Sequence, residues 1–143
     1  MLETAIAAWE SKSQPEVYQQ ASRLLALMTG GKWVQVQLTE AGALQVIDDT
    51  RTARDPRHLS MGTCQQLYLA LRIALLSCAD NVGRALPILA DDMLVNFDAE
   101  RRRGAARALA ELARMRQVVL FTCHEEVVSE LQAADAGATL IEL

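Results

Sequence analysis

The chain has 143 residues, of which 51% are hydrophobic, and a formal net charge of −4. This length suits one domain with a single core, and the charge argues against a general basic surface for nucleic acid. The three cysteines share no metal-like spacing, which is typical of reduced thiols. No signal-peptide pattern opens the chain, and Arg72 interrupts the longest apolar run. We therefore expect a cytoplasmic protein with no membrane span.

Residues 1–30 favour helix. Leu2, Ile6 and Trp9 fit one helical face, and a second apolar stripe runs from Val17 to Met28. Between the two stripes, residues 13–16 have the form of a capping box, which marks a helix start. The pattern predicts amphipathic helix that stops at the glycines after residue 29.

A β-hairpin is predicted next. Apolar and polar residues alternate from 34 to 38 and again from 44 to 46, with a turn signal at residues 40–42. The segment from Asp49 to His58 is polar and carries three arginines. We expect a solvated loop there, with contact to DNA or nucleotide as the less favoured alternative.

A serine and a glycine open a long apolar helix that starts near residue 60. The first amides of a helix have no internal partner and carry the positive end of its dipole, so Ser60 and Gly62 favour a bound phosphate. Plain capping explains the same residues, because Ser60 is a good N-cap, and Thr63 with Gln66 has capping-box spacing. The helix is apolar on nearly all sides, which predicts burial between neighbours.

Two short apolar runs each end in polar residues. Residues 87–90 predict a strand buried on both faces that leads into Asp91 and Asp92, and residues 117–122 predict a strand that leads to His124. Ligands of open parallel sheets bind beyond the carboxyl ends of the strands, so we expect these three side chains on one rim. One acid can hold Mg²⁺ and the other can activate a water, while the imidazole can donate to a phosphate. Solvated acids and an incidental histidine are the alternatives.

Asp98 is a predicted N-cap for a helix from Ala99 to about Met115. A further helix and a last strand, Ala138 to Glu142, are expected after the second buried strand. This order predicts an α/β fold with right-handed parallel βαβ units, preceded by a helix and a hairpin.

In this order, the motifs resemble those of ABC-type ATPases. Leu59 to Thr63 resembles the signature motif, Pro87 to Asp92 the Walker B strand, Asn96 to Asp98 the D-loop, and His124 the switch histidine. The signature region and the Asp-Asp-x-x-Val-Asn-Phe-Asp run are most similar to SMC-like ATPases of the SbcC and YhaN type, which act with DNA. The resemblance covers the chain from about residue 14 and implies the C-terminal lobe of a P-loop NTPase-like head.

The resemblance implies contacts to nucleotide across a dimer. Ser60, Gly62 and Thr63 would touch ATP that is bound mainly by the opposite protomer, and Asp98 would act across the same interface. Arg72 resembles the family arginine that couples the signature helix to the rest of the head, and Gln66 is assigned the same role. A snorkelling surface arginine is the alternative for Arg72.

The resemblance also implies the catalytic groups. Asp91 would support Mg²⁺ through water, Asp92 would be the general base, and His124 would sense the terminal phosphate. Met61 replaces the more usual first glycine of the signature, and Asp92 stands where most ABC enzymes have a glutamate.

The sequence contains no Walker A loop, whose form is Gly-x-x-x-x-Gly-Lys followed by Ser or Thr. In SMC-like ATPases that half lies far upstream, across a long coiled coil. The resemblance therefore implies that residues 31–143 are the C-terminal lobe and that residues 1–30 are the root of a coiled-coil arm. A helix packed on its own domain explains the spacing of residues 1–30 equally well.

We expect the complete protein to be an ATP hydrolase that uses Mg²⁺ in DNA repair or DNA end processing. The implied partners are the Walker A lobe, a second head, DNA and a nuclease subunit. The short acid and the altered signature leave a non-catalytic, ATP-gated dimerisation module as the alternative. A receiver-like domain is disfavoured because no lysine follows Lys32.

Overall fold

The computed structural model describes residues 2–78 and 86–143, with side chains described from residue 15 onward. Within these ranges the chain forms four α-helices, a short 3-10 turn and two small sheets. In chain order the elements are α1 (Leu2–Met28), β1 (Trp33–Leu38), β2 (Leu44–Asp48), β3 (Ala53–Arg54), the 3-10 turn (Pro56–His58), α2 (Met61–Cys78), β4 (Ile88–Asp91), α3 (Ala99–Ala113), β5 (Val118–Phe121) and α4 (Glu125–Ala134). Among the described residues, no helix is long and apolar enough to cross a membrane.

The predicted hairpin is present, and it gains a third strand. β1 and β2 pair antiparallel, with Val36 opposite Val46, and β3 pairs antiparallel with β2. β3 lies in the segment that was expected to be an irregular loop. The turn from β2 to β3 is stabilised by Asp48, whose carboxylate accepts hydrogen bonds from the N–H groups of Thr50 and Thr52.

The second sheet is a parallel pair, as an α/β fold requires. Ile88 lies opposite Val118, and Asp91 lies opposite Phe121. α3 connects the two strands, so β4, α3 and β5 form one βαβ unit. Parallel strands end at the same edge, and this edge therefore carries the residues that follow Asp91 and Phe121.

The core is built around α1, which packs against α2, α3 and β1, while α2 and α3 also pack against each other. Its largest fully buried side chains are Leu24, Leu25, Val36, Val46, Leu67, Leu94, Leu112 and Val127. Gln66 is also buried, and its Nε2 donates to the carbonyl oxygen of Met28 at 3.0 Å. This bond satisfies a buried amide and ties the start of α2 to the end of α1.

Two local predictions about the ends of the chain are wrong. α1 runs unbroken through Pro15, so residues 13–16 do not start a helix. Residues 138–143 form neither helix nor strand. A strand needs a neighbour for its backbone hydrogen bonds, and the described part of the chain pairs none with this segment.

Two surfaces that were predicted to be buried are open. One face of α2 exposes Tyr68, Arg72 and Leu75, with Tyr68 54% accessible. In the parallel sheet, Leu89 is 69% accessible and Phe121 is 46% accessible. The apolar character of both elements was identified correctly, but the described residues cover each of them on one side alone.

Candidate functional site

The end of β4 is joined to the end of β5 by backbone. Asp91 is the last residue of β4 and is exposed. Asp92 follows it with a φ of 44°, and its N–H donates to the carbonyl oxygen of Phe121 at 2.9 Å. This left-handed conformation, which non-glycine residues rarely adopt, turns the chain at the rim of the sheet.

The rim brings Asp92 together with two residues from the end of β5. One ligand atom each from Asp92, Cys123 and His124 lies within 4.8 Å of the others. Oδ1 of Asp92 is buried and has no hydrogen-bond partner among the described residues. Asp92 and His124, which sequence reasoning expected on one rim, therefore lie side by side.

His124 is fixed by the turn that precedes α4. Its N–H donates to Oγ1 of Thr122 at 3.2 Å, and its carbonyl oxygen accepts from the N–H of Val127 at 3.1 Å. Nδ1 of His124 lies 3.9 Å from Oε1 of Glu126. The imidazole is therefore held at the carboxyl end of β5, beside the acids that follow β4.

The two acids also fit the magnesium ion that ATP chemistry requires. Mg²⁺ prefers carboxylate oxygens and water as ligands. Asp91 offers an exposed carboxylate, and Asp92 offers a buried oxygen that no described hydrogen-bond donor satisfies. The residues present at the rim thus match the donor set of the ion.

Ser60 caps α2, in agreement with the interpretation of these residues as a plain helix cap. Its Oγ accepts from the N–H of Thr63 at 3.3 Å and lies 2.9 Å from Oγ1 of Thr63, which is buried. The predicted pairing of Thr63 with Gln66 as a capping box is wrong, because the helix starts at Met61 and Gln66 bonds to Met28. Capping and phosphate binding use the same amides, so the cap leaves both roles possible at Ser60.

The guanidinium of Arg101 covers Gly62. A Cβ added at Gly62 would lie 2.8 Å from both Cζ and Nε of Arg101. The same guanidinium forms an ion pair with Asp98. Arg101 therefore joins the signature candidate to the D-loop candidate, and it occupies the approach to the glycine that a phosphate would use.

Asp98 caps α3 as predicted. Its Oδ1 accepts from the N–H of Arg101 at 2.9 Å. This hydrogen bond, helped by the positive charge of the Arg101 side chain, holds the pKa of Asp98 below its usual value. The carboxylate is thus anionic at the point where the two motifs meet.

The two residues expected to couple the signature helix differ in environment. Gln66 is 2% accessible and bonds to α1, whereas Arg72 is exposed on α2. Arg72 therefore lies on the surface of this chain, and its coupling role stays a prediction. Glu126 links the start of α3 beside Asp98 to the rim, because its Oε1 lies 3.8 Å from Nη1 of Arg102 and 3.9 Å from Nδ1 of His124.

Sequence reasoning missed Arg101 and Cys123. Arg101 follows the predicted N-cap Asp98 by three residues, a spacing at which helix side chains meet, and this was the available signal. Cys123 had been set aside because cysteine spacing along the chain resembles no metal motif. The possible ligands beside Cys123 are Asp92, which follows β4, and His124, which follows β5. The spacing of cysteines along the sequence does not show that these two strand ends lie together.

Comparisons with known proteins bear on the fold of this chain. No family model matches the chain. The chain is 33% identical over 115 residues to YhaN of Bacillus subtilis (strain 168), and this match covers 79% of the chain and 12% of that protein. Among solved structures, it is similar to the SMC head domain from Thermotoga maritima with a TM-score of 0.64 and 19% identity, over 80% of the chain and 40% of that structure.

A second similar structure comes from a study of ATP-driven dimerization and DNA-stimulated activation of SMC ATPases. Its TM-score is 0.69 at 15% identity, and it covers 87% of the chain and 76% of that structure. The chain therefore has the fold of part of an SMC head domain. It spans about one eighth of YhaN, and less than half of the Thermotoga maritima head.

Proposed function

We propose that this chain is the C-terminal part of the ATPase head of an SMC-like protein. The observation that carries the proposal is the approach of Asp92 and His124 to within 4.8 Å at the carboxyl end of a parallel sheet. An acid and an imidazole at this edge suit phosphoryl transfer to water, which depends on positioning and charge. The likeness to SMC heads supports the same chemistry.

In this proposal the rim acts on ATP held in the same head. Asp92 orients or deprotonates the attacking water, and His124 donates a hydrogen bond to the terminal phosphate. Asp91 holds Mg²⁺ through its water shell. That ion neutralises charge on the phosphates when it is bound.

The signature group acts on ATP held by a second head. Ser60, Gly62 and Thr63 present a hydroxyl and helix amides, which favour an anionic phosphate. Asp98 contacts the partner head across the same interface. Because Arg101 now covers Gly62, its guanidinium either moves aside or binds the incoming phosphate itself.

The missing Walker A lobe is the proposed neighbour of the parallel sheet. Leu89 and Phe121 are exposed on β4 and β5, and the chain spans only 40% of the Thermotoga maritima head. An exposed apolar sheet face of this kind marks a surface that another element covers. DNA and a nuclease subunit complete the proposed assembly, in DNA repair or end processing.

Reconstitution tests the proposal. The chain alone should release no phosphate from ATP, and it should regain turnover when mixed with the Walker A half of the same protein. Asp92→Asn should lower kcat by at least about 100-fold, since loss of a positioned base costs about 10² to 10⁴. Asp49→Asn, which changes an exposed acid in the turn between β2 and β3, is the matched control and should leave kcat unchanged. Full turnover with Asn at position 92 would show that Asp92 is not the base.

The short side chain of Asp92 favours one other function, a non-catalytic module in which ATP gates dimerisation. An aspartate reaches one methylene less far than the glutamate most ABC enzymes use. This alternative predicts ATP-bound dimers of the complete protein that release no phosphate. Phosphate release measured on isolated dimers, with and without DNA, separates the two functions.

A further inference from the structure

We propose that Asp92, Cys123 and His124 form a binding site for a thiophilic divalent cation, with Zn²⁺ as the best fit. The three side chains follow the ends of β4 and β5. One ligand atom from each lies within 4.8 Å of the others. This site differs from a magnesium site because it includes a sulfur and an imidazole nitrogen.

The donor set selects the metal. Zinc binds cysteine sulfur, histidine nitrogen and carboxylate oxygen, whereas magnesium takes oxygen ligands almost alone. Three protein ligands with an open fourth position are typical of zinc sites that keep a water or bind a further ligand. The chain supplies one ligand of each kind at the rim.

The geometry needs only a small closure. Zinc–ligand bonds of about 2.0 to 2.3 Å in a tetrahedron put the ligand atoms about 3.3 to 3.8 Å apart. The observed upper separation is 4.8 Å, so the longest gap closes by about 1 to 1.5 Å. Cys123 is exposed, and exposed side chains change rotamer readily.

Two further observations at these residues point to a cation. Oδ1 of Asp92 is buried, and no described donor bonds to it. A buried carboxylate oxygen left in this way is costly, and a bound cation removes the cost. Nδ1 of His124 lies 3.9 Å from Oε1 of Glu126, and a closure of about 1 Å would let this carboxylate accept a hydrogen bond from a metal-bound imidazole and orient the ring.

The site has a consequence for turnover, and this consequence rests on the proposed function. Zinc would bind the same two side chains that we propose as general base and phosphate sensor. A metal-bound Asp92 cannot accept a proton from water, and a metal-bound His124 is held away from a phosphate. Zinc would therefore inhibit ATP hydrolysis, and a chelator would restore it.

Cobalt binding tests the site directly. Co²⁺ titrated into the reduced 143-residue chain should give one equivalent of a thiolate-to-cobalt absorption band, which Zn²⁺ then displaces. Cys123→Ser should abolish the band. His124→Ala should weaken binding by at least about 100-fold, because even loss of a residue that only orients a ligand costs about 10- to 100-fold.

Matched controls exist for both ligands. Cys64→Ser and His58→Ala remove the same side-chain types elsewhere in the chain, and both variants should bind cobalt like the parent. Circular dichroism of each variant checks that it is folded. A band that survives in folded Cys123→Ser, an unchanged affinity in folded His124→Ala, or an equal loss in the controls would overturn the site.

The two proposals fail separately. The cobalt band is read without ATP, so it stands or falls on the three side chains alone. A cobalt site in a chain whose reconstituted head has no turnover would refute the proposed function and keep the metal site. Turnover without a cobalt band would refute the metal site and keep the proposed function.

Discussion

Arg101 connects two motifs that are almost 40 residues apart in the sequence. Its guanidinium lies against Gly62 and pairs with Asp98, while its backbone N–H is capped by the same aspartate. A cation at a helix N-terminus opposes the helix dipole, and the negative charge of Asp98 offsets this. The arrangement places one anion and one cation where the proposed nucleotide of a second head would arrive.

Replacing Arg101 should change the pKa of Asp98 only in part. The backbone N–H of Arg101 is the largest cause of the lowered pKa and survives in Arg101→Ala, whereas the side-chain charge is lost. The pKa should therefore rise but stay below the usual value for aspartate. Carboxyl titration by NMR measures it, with Arg107→Ala, an exposed arginine on the same helix, as the control.

The pH dependence of the cap follows from the same shift. A carboxyl with a lowered pKa contributes stability at pH above its ordinary value of about 3.9, and loses it as pH falls through the lowered pKa. The stability difference between the parent and Asp98→Asn should therefore shrink toward low pH. A pKa at or above the ordinary value in the parent would contradict the assigned hydrogen bond.

At the scale of elements, three helices meet at the carbonyl group of Met28. Gln66 of α2 donates to its oxygen, and Gly104 of α3 packs directly against it. α2 starts at the signature candidate, and α1 is the proposed root of the arm. A movement of α2 would therefore be transmitted to the end of α1 through one buried hydrogen bond.

Gly104→Ala should destabilise the chain although alanine favours helix. A Cβ at this position would lie 2.5 Å from the Met28 oxygen, and a backbone atom cannot rotate away. The gain in helix propensity of about 1 kcal/mol is outweighed by separating α1 from α3. We expect the free energy of unfolding to fall by about 1 to 3 kcal/mol.

Denaturant titration measures this change, and Arg107→Ala on the same helix is the control. That exposed substitution should stay within about 0.5 kcal/mol of the parent. An equal or higher midpoint for Gly104→Ala would mean that α1 and α3 are not in close contact at Met28.

At the scale of the whole molecule, the described residues cover the parallel sheet on one side alone. Leu89 and Phe121 are exposed beside buried Ala90, and the exposed face of α2 adds Tyr68 and Leu75. We assign the sheet face to the Walker A lobe. In the proposed head, that lobe brings most contacts to ATP, and this chain brings the rim residues.

Leu89→Asp tests this assignment. A carboxylate in a buried interface carries a desolvation cost, so binding to the Walker A half should weaken by at least about tenfold. The stability of the chain alone should hardly change, because Leu89 is 69% accessible. Met115→Asp, at an exposed methionine just after α3, is the control. Calorimetry of the two halves gives both affinities, and equal affinities would place the lobe elsewhere.

The sequence by itself determined the order of the main elements, but not the short strand β3 or the absence of a last strand at residues 138–143. Alternation located the hairpin, apolar runs located β4 and β5, and Asp98 marked the start of α3. The placement of Asp92 and His124 on one rim also followed from sequence, because parallel strands share their carboxyl edge. These features depend on local periodicity and on a general rule of sheet topology, and both can be read along the chain.

Only the tertiary structure decided which distant side chains touch. The contact of Arg101 with Gly62, the approach of Cys123 to Asp92 and the bond from Gln66 to Met28 each join segments that no spacing rule connects. The tertiary structure also decided that one face of α2 and one face of β4 are exposed. Their apolar residues are visible in the sequence, but burial depends on what packs against them in space.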